Sequence, residues 1–391
     1  MPKILIMTSV VGGGHVFRDI AIAKELKKLL PENYEIIFAS GGNAYAMIQD
    51  EGLEVEKITG LNFPAHQGTA SFLKLYFAIL WSELLQLFDL RRLIKKHQPA
   101  LVILDEFFFM ADYCRLHRIP VVFMCDFVGV PQLRFFHNPL RATLEKFFDW
   151  YLATYLPRRV NRWIFIGDTE LIPREDWRAR TKTRGIVTVE PITKVQYTPP
   201  PLRDEARKKL GFTESERVVT VAVGCSGVGE YLLEAVNTVA PLLRNHVPGL
   251  RVELICGNGI DLQRLSSNQD VHVHGYIRNI EVFFAASDAV IVQCGLTTTT
   301  ECLMIGVPMI VVPLADHWEQ ANTARYLYEK AGIRKIDAEH VSPKVLSDAI
   351  LHLLSQTSWA TSPFRGDGHI VAARAIADVL EAPSEEVARL P

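Results

Sequence analysis

Short runs of apolar, β-branched residues alternate with longer stretches of helical periodicity almost from end to end of the 391-residue chain. The clearest runs are Lys3–Ser9, Tyr34–Ala39, Leu101–Leu104, Val121–Met124 and Trp163–Ile166, then Val218–Val223, Arg251–Ile255, Ala289–Val292 and Met309–Val312. Strands that are apolar on both faces and separated by helices predict parallel sheets covered on each side, an α/β doubly wound fold. The two series are separated by Glu190-Pro-Ile-Thr-Lys-Val-Gln-Tyr-Thr-Pro-Pro-Pro201, which suits neither a central strand nor a helix interior. The expected organisation is therefore a first domain over 1–190, a linker over 191–201 and a second domain over 202–366. A C-terminal helix over 367–391 carries Ile370, Ala373, Ile376 and Leu380 at helical spacing, and is free to return to the first domain.

Charge narrows the function classes. Lys and Arg number 42 against 44 Asp and Glu, a net charge of −2, which excludes nucleic-acid binding through a general basic surface. No stretch of about 18 apolar residues occurs, and Met-Pro-Lys-Ile-Leu-Ile-Met at the start lacks the features of a cleavable signal, so a cytoplasmic location is expected. The cysteines at 114, 125, 225, 256, 294 and 302 form no CxxC pair and lie in or beside apolar runs, which predicts buried free thiols.

Three stretches carry candidate chemistry. Val11-Gly-Gly-Gly-His15 lies between the first strand and a helix expected from about Val16. Glycines there permit positive φ, and a helix N-terminus offers free N–H groups to a ligand. Neither the Walker nor the GxGxxG pattern is met, and the motif alone is equally a tight turn with a solvated His. Val223-Gly-Cys-Ser-Gly-Val-Gly229 repeats the arrangement in the second domain, with Ser226 as a hydroxyl donor. The richest stretch is 285–324, where a strand ends at Gln293-Cys294-Gly295 and a helix starts near Leu296. The amides of Leu296, Thr297 and Thr298 are then free for a diphosphate, and the Glu301 carboxylate, a turn further, suits a ribose diol. The alternative for the four threonines is a β-favouring or N-capping run.

Gly13-Gly-His-Val-Phe17 followed by Ile20-Ala-Ile-Ala-Lys-Glu-Leu26 resembles the opening of the peptidoglycan lipid II N-acetylglucosaminyltransferases, and Gln293–Gln320 resembles the donor-binding stretch they share with family 1 UDP-glycosyltransferases. The resemblance implies two Rossmann-like domains facing a cleft, the GT-B fold of inverting, metal-independent glycosyltransferases, with UDP-sugar as substrate, no cofactor and no metal ligands. It places Ile277 of Gly275-Tyr-Ile-Arg-Asn279 at the uracil and Ser226, Gly295 and the amides of 296–298 at the phosphates. Glu301 falls at the ribose and Glu319-Gln320 at the sugar hydroxyls. On the acceptor side it implies Gly13 and Gly14 as the turn and His15 as general base, oriented by Asp105, with Asp126 as the alternate carboxylate. For Asp105 the plain alternative is a polar residue closing a strand. No DxD triplet occurs, consistent with departing UDP being stabilised by amides and a helix dipole.

The chain departs from the peptidoglycan enzyme at Gly224-Cys-Ser-Gly-Val-Gly229, at Glu319 and at Asp105-Glu-Phe107. Its first domain also carries the apolar stretch Phe72–Leu90 and the aromatic, arginine-containing stretch Gln132–Arg162. Over 91–162 there are 12 Lys and Arg against six Asp and Glu. A lipid or hydrophobic acceptor and an anionic membrane surface are the expected partners of such a face, with core packing as the alternative. The expected activity is transfer of a hexose, of glucose or N-acetylglucosamine type, from a UDP-sugar to an acceptor hydroxyl. Its rivals are a non-hydrolysing UDP-GlcNAc 2-epimerase and a non-catalytic UDP-sugar-binding subunit.

Overall fold

In a computed structural model the described residues are 1–10, 12–61, 65–66, 69–70, 72–126, 143, 146–148, 150–172, 186–224, 229–257, 260–265, 271–314, 318–356 and 362–381. The chain packs as two compact units, one of Met1–Phe63, Phe72–Ile192 and Gly366–Pro391, the other of Pro64–Ser71 and Thr193–Arg365.

The first unit is built from β1 (Lys3–Met7), α1 (Gly13–Leu29), β2 (Glu35–Ser40), α2 (Gly42–Asp50) and β3 (Val55–Lys57). After the two-stranded pair β4 (Ala65–His66) and β5 (Thr69–Ala70), which groups with the second unit, the first unit resumes with α3 (Phe72–His97), β6 (Leu101–Asp105) and α4 (Ala111–Leu116). Three further strands follow, β7 (Val121–Cys125), β8 (Arg162–Ile166) and β9 (Ile186–Val189). Seven of these strands form a sheet in the order β3-β2-β1-β6-β7-β8-β9, all pairs being parallel. The run Ile4-Leu-Ile-Met7 and the run Leu101-Val-Ile-Leu104 are buried throughout, as a sheet covered on both faces requires.

The second unit contains α5 (Arg203–Leu210), β10 (Arg217–Ala222), α6 (Glu230–His246), β11 (Leu250–Ile255), β12 (Val271–His274), α7 (Ile280–Ala286) and β13 (Ala289–Val292). It continues through α8 (Leu296–Ile305), β14 (Met309–Val311), α9 (Trp318–Ala331), β15 (Arg334–Lys335) and α10 (Pro343–Ser355). Its six-stranded sheet runs β12-β11-β10-β13-β14-β15, again all parallel. Both sheets are therefore doubly wound, and each reverses direction once, between β1 and β6 and between β10 and β13. Ligands of such sheets bind where the carboxyl ends of the strands diverge at that reversal.

The final helix α11 (Gly368–Glu381) belongs to the first unit. Gly368 lies so close to the Glu190 carbonyl that a Cβ there would overlap it, and Glu190 also accepts the Gly366 amide at 2.8 Å. The Pro-rich connecting segment is ordered against the second unit from Thr193 onward. Lys194, 4% exposed, donates to the Arg278 carbonyl and Asn279 Oδ1 and pairs with Glu281 at 3.0 Å. Of the six cysteines, the five described are buried and unpaired.

Candidate active site

α1 begins at Gly13, three residues before the expected Val16, with Gly12 at φ +79° as its N-cap, so His15 stands in the first turn of the helix. Gly13 also packs closely: a Cβ there would meet the Met47 methyl at 2.8 Å, a contact the flexible Met47 side chain can relieve by shifting. The helix so begun aims His15 at the end of β6, where its Nδ1 lies 3.0 Å from Oδ2 of Asp105. Asp105 is fully buried.

One turn further along α1, Arg18 faces the same point. Its Nε donates to Asp105 Oδ2 at 3.1 Å, its Nη2 to Asp105 Oδ1, and its Nη1 to Asp126 Oδ2 at 2.9 Å. Nη2 also approaches His15 Nδ1 at 2.6 Å. Nδ1 thus lies between an acceptor, Asp105 Oδ2, and a donor, Arg18 Nη2; the tautomer that donates Nδ1–H to Asp105 is the one that carries its lone pair on Nε2. Burial opposes ionisation of Asp105 and Asp126, yet the Arg18 guanidinium, helped by His15, holds both carboxyls below the ordinary carboxylate range. Two further carboxyls join them. Asp19, fully buried, is raised well above the usual range by burial and by Asp105. Glu106, whose Oε2 lies 3.6 Å from His15 Nε2, is raised by burial and by Asp126.

Ligand atoms of His15, Glu106 and Asp126 lie within 4.8 Å of one another, a spacing that would accept a cation. Arg18 already supplies a positive charge to this cluster, bonded to Asp126 and buried itself.

In the second unit, Gly295 caps α8 without a side-chain hydrogen bond. Thr299, the first residue in line, bonds back to the Gly295 carbonyl, so the amides of Leu296, Thr297 and Thr298 precede the intrahelical ladder. They sit at the end of β13, at the sheet reversal. Gln293, at that strand end, accepts the Gly224 amide at 3.3 Å and so ties the two glycine turns together. Its Nε2 is buried without a hydrogen-bond partner among the described residues.

Glu301 is 6% exposed. Burial first and Glu281 second raise its carboxyl to about 8, against the opposing amide and charge of Lys194. Glu319 and Gln320 occupy the first turn of α9, half-buried. Gln320 accepts the Leu314 amide at 2.8 Å, and the charge of Glu319 contributes to raising the Cys294 thiol, after burial. Ile277, in the turn between β12 and α7, is half-buried. Ser226 lies outside the described residues. Thus His15, Asp105 and Asp126 gather at one sheet reversal, while Gly295 to Thr298, Glu301 and Glu319-Gln320 belong to the other unit.

Sequence reasoning did not single out Arg18, Asp19, Glu106, Gln293 or Lys194. A signal existed for the first two: Arg18-Asp19 is a charged pair inside a helix stripe that otherwise reads apolar through Ile20, Ala23 and Leu26.

Comparison with known proteins bears on the family and the fold. Residues 218–363 match the glycosyltransferase family 28 C-terminal domain. An uncharacterized glycosyltransferase of Methanopyrus kandleri is 26% identical over 298 residues, 74% of this chain and 79% of the relative. The UDP-N-acetylglucosamine--N-acetylmuramyl-(pentapeptide) pyrophosphoryl-undecaprenol N-acetylglucosamine transferase of Acetivibrio thermocellus is 26% identical over 358 residues, 87% of this chain and 86% of the relative. Two solved structures share the fold. The glycotransferase of kitacinnamycin has a TM-score of 0.63 at 18% identity, covering 100% of this chain and 99% of its own. Acinetobacter baumannii MurG has a TM-score of 0.57 at 17% identity, covering 97% and 99%. The chain is a GT-B-fold glycosyltransferase related to glycosyltransferase family 28.

Proposed function

We propose that the protein is an inverting, metal-independent transferase that moves a hexose, of glucose or N-acetylglucosamine type, from a UDP-sugar to a hydroxyl of a lipid or hydrophobic acceptor. The observation that supports the reading is the His15–Asp105 pair, because an Nδ1–H donated to Asp105 leaves Nε2, in the first turn of α1, to accept a proton. In the reaction the acceptor oxygen attacks the anomeric carbon as the bond to the UDP oxygen breaks. The hydroxyl proton passes to His15 Nε2, and Asp105 stabilises the imidazolium formed. The amides of Leu296, Thr297 and Thr298 receive the diphosphate charge, assisted by the α8 dipole and by Ser226, and so take the part of a divalent ion. Glu301 binds the ribose, Ile277 the uracil, and Glu319 and Gln320 the sugar hydroxyls.

The acceptor reading is supported by α3. Leu80, Trp81, Leu84 and Phe88 are all exposed on it, Trp81 to 64%, and Arg91, Arg92, Lys95 and Lys96 follow, also exposed. An apolar stripe continued by cations suits the headgroup region of an anionic membrane, so peripheral attachment is part of the proposal. Among the described residues no helix is long and apolar enough to cross a membrane. The test is a donor panel of UDP-sugars read by UDP release, run with and without lipid extract and with EDTA. Lipid-dependent release with one donor, unaffected by EDTA, supports the reading. Conversion of UDP-GlcNAc with no acceptor would identify an epimerase instead.

A further inference from the structure

Lys194 comes two residues after Ile192, where the chain leaves the first unit, and its side chain is buried in the second. What holds it there is local. Thr193 and Gln196 cap a single 3-10 turn over Lys194–Gln196, the Thr193 amide donating to Gln196 Oε1 at 3.2 Å. The turn rests on α8, where Thr193 Oγ1 and Gln196 Nε2 each lie 3.9 Å from Met304 Sδ. Part of the expected linker is thus packed on the helix that carries Glu301.

The Lys194 ammonium is fully committed. It donates to the Arg278 carbonyl at 3.1 Å and to Asn279 Oδ1 at 2.7 Å, and it pairs with Glu281 Oε1 at 3.0 Å. Three acceptors match the three N–H bonds of a lysine, so none is left for a ligand. Arg278 and Asn279 close the turn Gly275–Asn279 between β12 and α7, and Glu281 stands in the first turn of α7. Ile277 of that turn stays half-buried, so the turn keeps an open edge while its last two residues are tied down. The backbone amide of Lys194 meanwhile donates to the buried Glu301 carboxyl of α8. One residue therefore joins two parts of the donor side.

Glu281, 4% exposed, has its charge partner in this lysine. Removing the cation alone leaves a buried carboxylate unpaired, whereas replacing both members of such a pair by apolar groups is often neutral for stability. The two tasks of Lys194, balancing Glu281 and holding the turn, can be separated by that difference.

We propose that Lys194 is a positioning residue for the nucleotide: it fixes the base-side turn Gly275–Asn279 against the ribose-side Glu301, so that the segment joining the units is part of the donor site without touching the donor. This rests on the reading of Ile277 and Glu301 as donor contacts. Base selectivity follows, since hydrogen bonds to the edge of a uracil discriminate only where the backbone that makes them is held in place.

The experiment uses the full chain, with UDP and CDP as probes and calorimetry as the readout. Wild type is expected to bind UDP about tenfold or more tightly than CDP, because a site built for one base edge leaves groups unpaired on the other. Lys194→Met should raise the Kd for UDP about tenfold or more, and bring UDP and CDP within about threefold of each other, as a site loses its supporting contacts. The double variant Lys194→Met, Glu281→Met removes the whole ion pair. It should regain the Tm lost by the single variant yet keep the weak, unselective binding, whereas a lysine that only balances Glu281 would let both recover. In wild type, UDP should slow amide hydrogen exchange over 193–198 as well as over 275–279. Wild-type UDP affinity in the double variant, equal binding of UDP and CDP by wild type, or exchange over 193–198 that UDP leaves unchanged overturns the proposal. Glu301→Ala is titrated in parallel. Unaltered UDP affinity there overturns the donor reading and this proposal with it; weakened binding there, beside unaltered Lys194 variants, overturns this proposal alone.

Discussion

His15 and Asp105, ninety residues apart in sequence, meet at 3.0 Å because α1 begins at the end of β1 and Asp105 closes the adjacent strand β6. Replacing His15 by Ala is expected to lower turnover about 10²-fold or more, the range for a lost general base, while leaving UDP binding by calorimetry unchanged. Asp105→Asn should also depress turnover, since an amide can present its oxygen to Nδ1–H but not balance an imidazolium.

Arg18 is 2% exposed and bonded to two ionised carboxyls. Arg18→Met leaves Asp105 and Asp126 buried without their counter-ion. Removing one partner of a buried ion pair costs about 3–5 kcal/mol, and urea unfolding should show a loss of that order. A loss under about 1 kcal/mol would mean that the cluster is hydrated and its charges screened.

Glu83 of α3 accepts the Phe108 amide at 3.0 Å, just past the turn that carries Asp105 and Glu106. Burial raises its carboxyl from 4.5 to about 7, against the pull of the Phe108 and Phe109 amides. The folded value lies above the unfolded one, so its contribution to stability is complete below about pH 4.5 and is lost as pH rises through about 7. At 1.36 kcal/mol per unit the change is about 3 kcal/mol. Glu83→Gln should erase that part of the pH dependence, so the difference in unfolding free energy between variant and wild type should move in favour of the variant between pH 5 and 8. A pH-independent difference would count against a buried, ionisable Glu83.

Gly368→Ala brings a methyl group onto the Glu190 carbonyl. Relief requires α11 to shift from α1, against which it packs, and a cost of about 1–3 kcal/mol is expected from the strain. Hydrogen exchange should report the loss in α1 and α11, with α8 and β13 unchanged.

Binding to anionic vesicles tests the α3 surface. Trp81→Glu and Phe88→Glu change exposed positions, 64% and 61% accessible, and are expected to weaken sedimentation with phosphatidylglycerol vesicles without altering Tm. Salt at about 0.5 M should weaken it also, through Arg91, Arg92, Lys95 and Lys96. Insensitivity to both changes would leave α3 with no part in attachment.

Much of the scaffold was legible in sequence because parallel strands buried on both faces read as unbroken apolar runs, as Leu101–Leu104 and Ala289–Val292 do. A strand-end residue such as Asp105 is legible for the same reason: it follows such a run, and a doubly wound sheet puts strand ends at the ligand. Arg18 and Glu106 were not, since their meaning lies in partners 87 and 108 residues from Arg18 and in a positive φ. Lys194 was hidden differently. Within a proline-rich stretch it reads as a solvated charge, whereas the fold buries it on Asn279 and Glu281. Of the stretch 132–162, prominent in sequence for its aromatic residues, 132–142, 144–145 and 149 lie outside the described residues; among the rest Phe147 and Trp150 are exposed, whereas Tyr151, Leu152 and Leu156 are buried.

The return of α11 to the first unit sets an order on biosynthesis. A ribosome emits 1–192 first, yet the partner surface of α1 and the residue that closes on Glu190 arrive only with Gly366 and Gly368. The second unit, whose strands β10 to β15 lie within 193–365, can complete its sheet while the first still waits. A chain truncated before 366 would thus carry a finished second-unit sheet and a first unit lacking its last helix, and the half begun first is the half completed last.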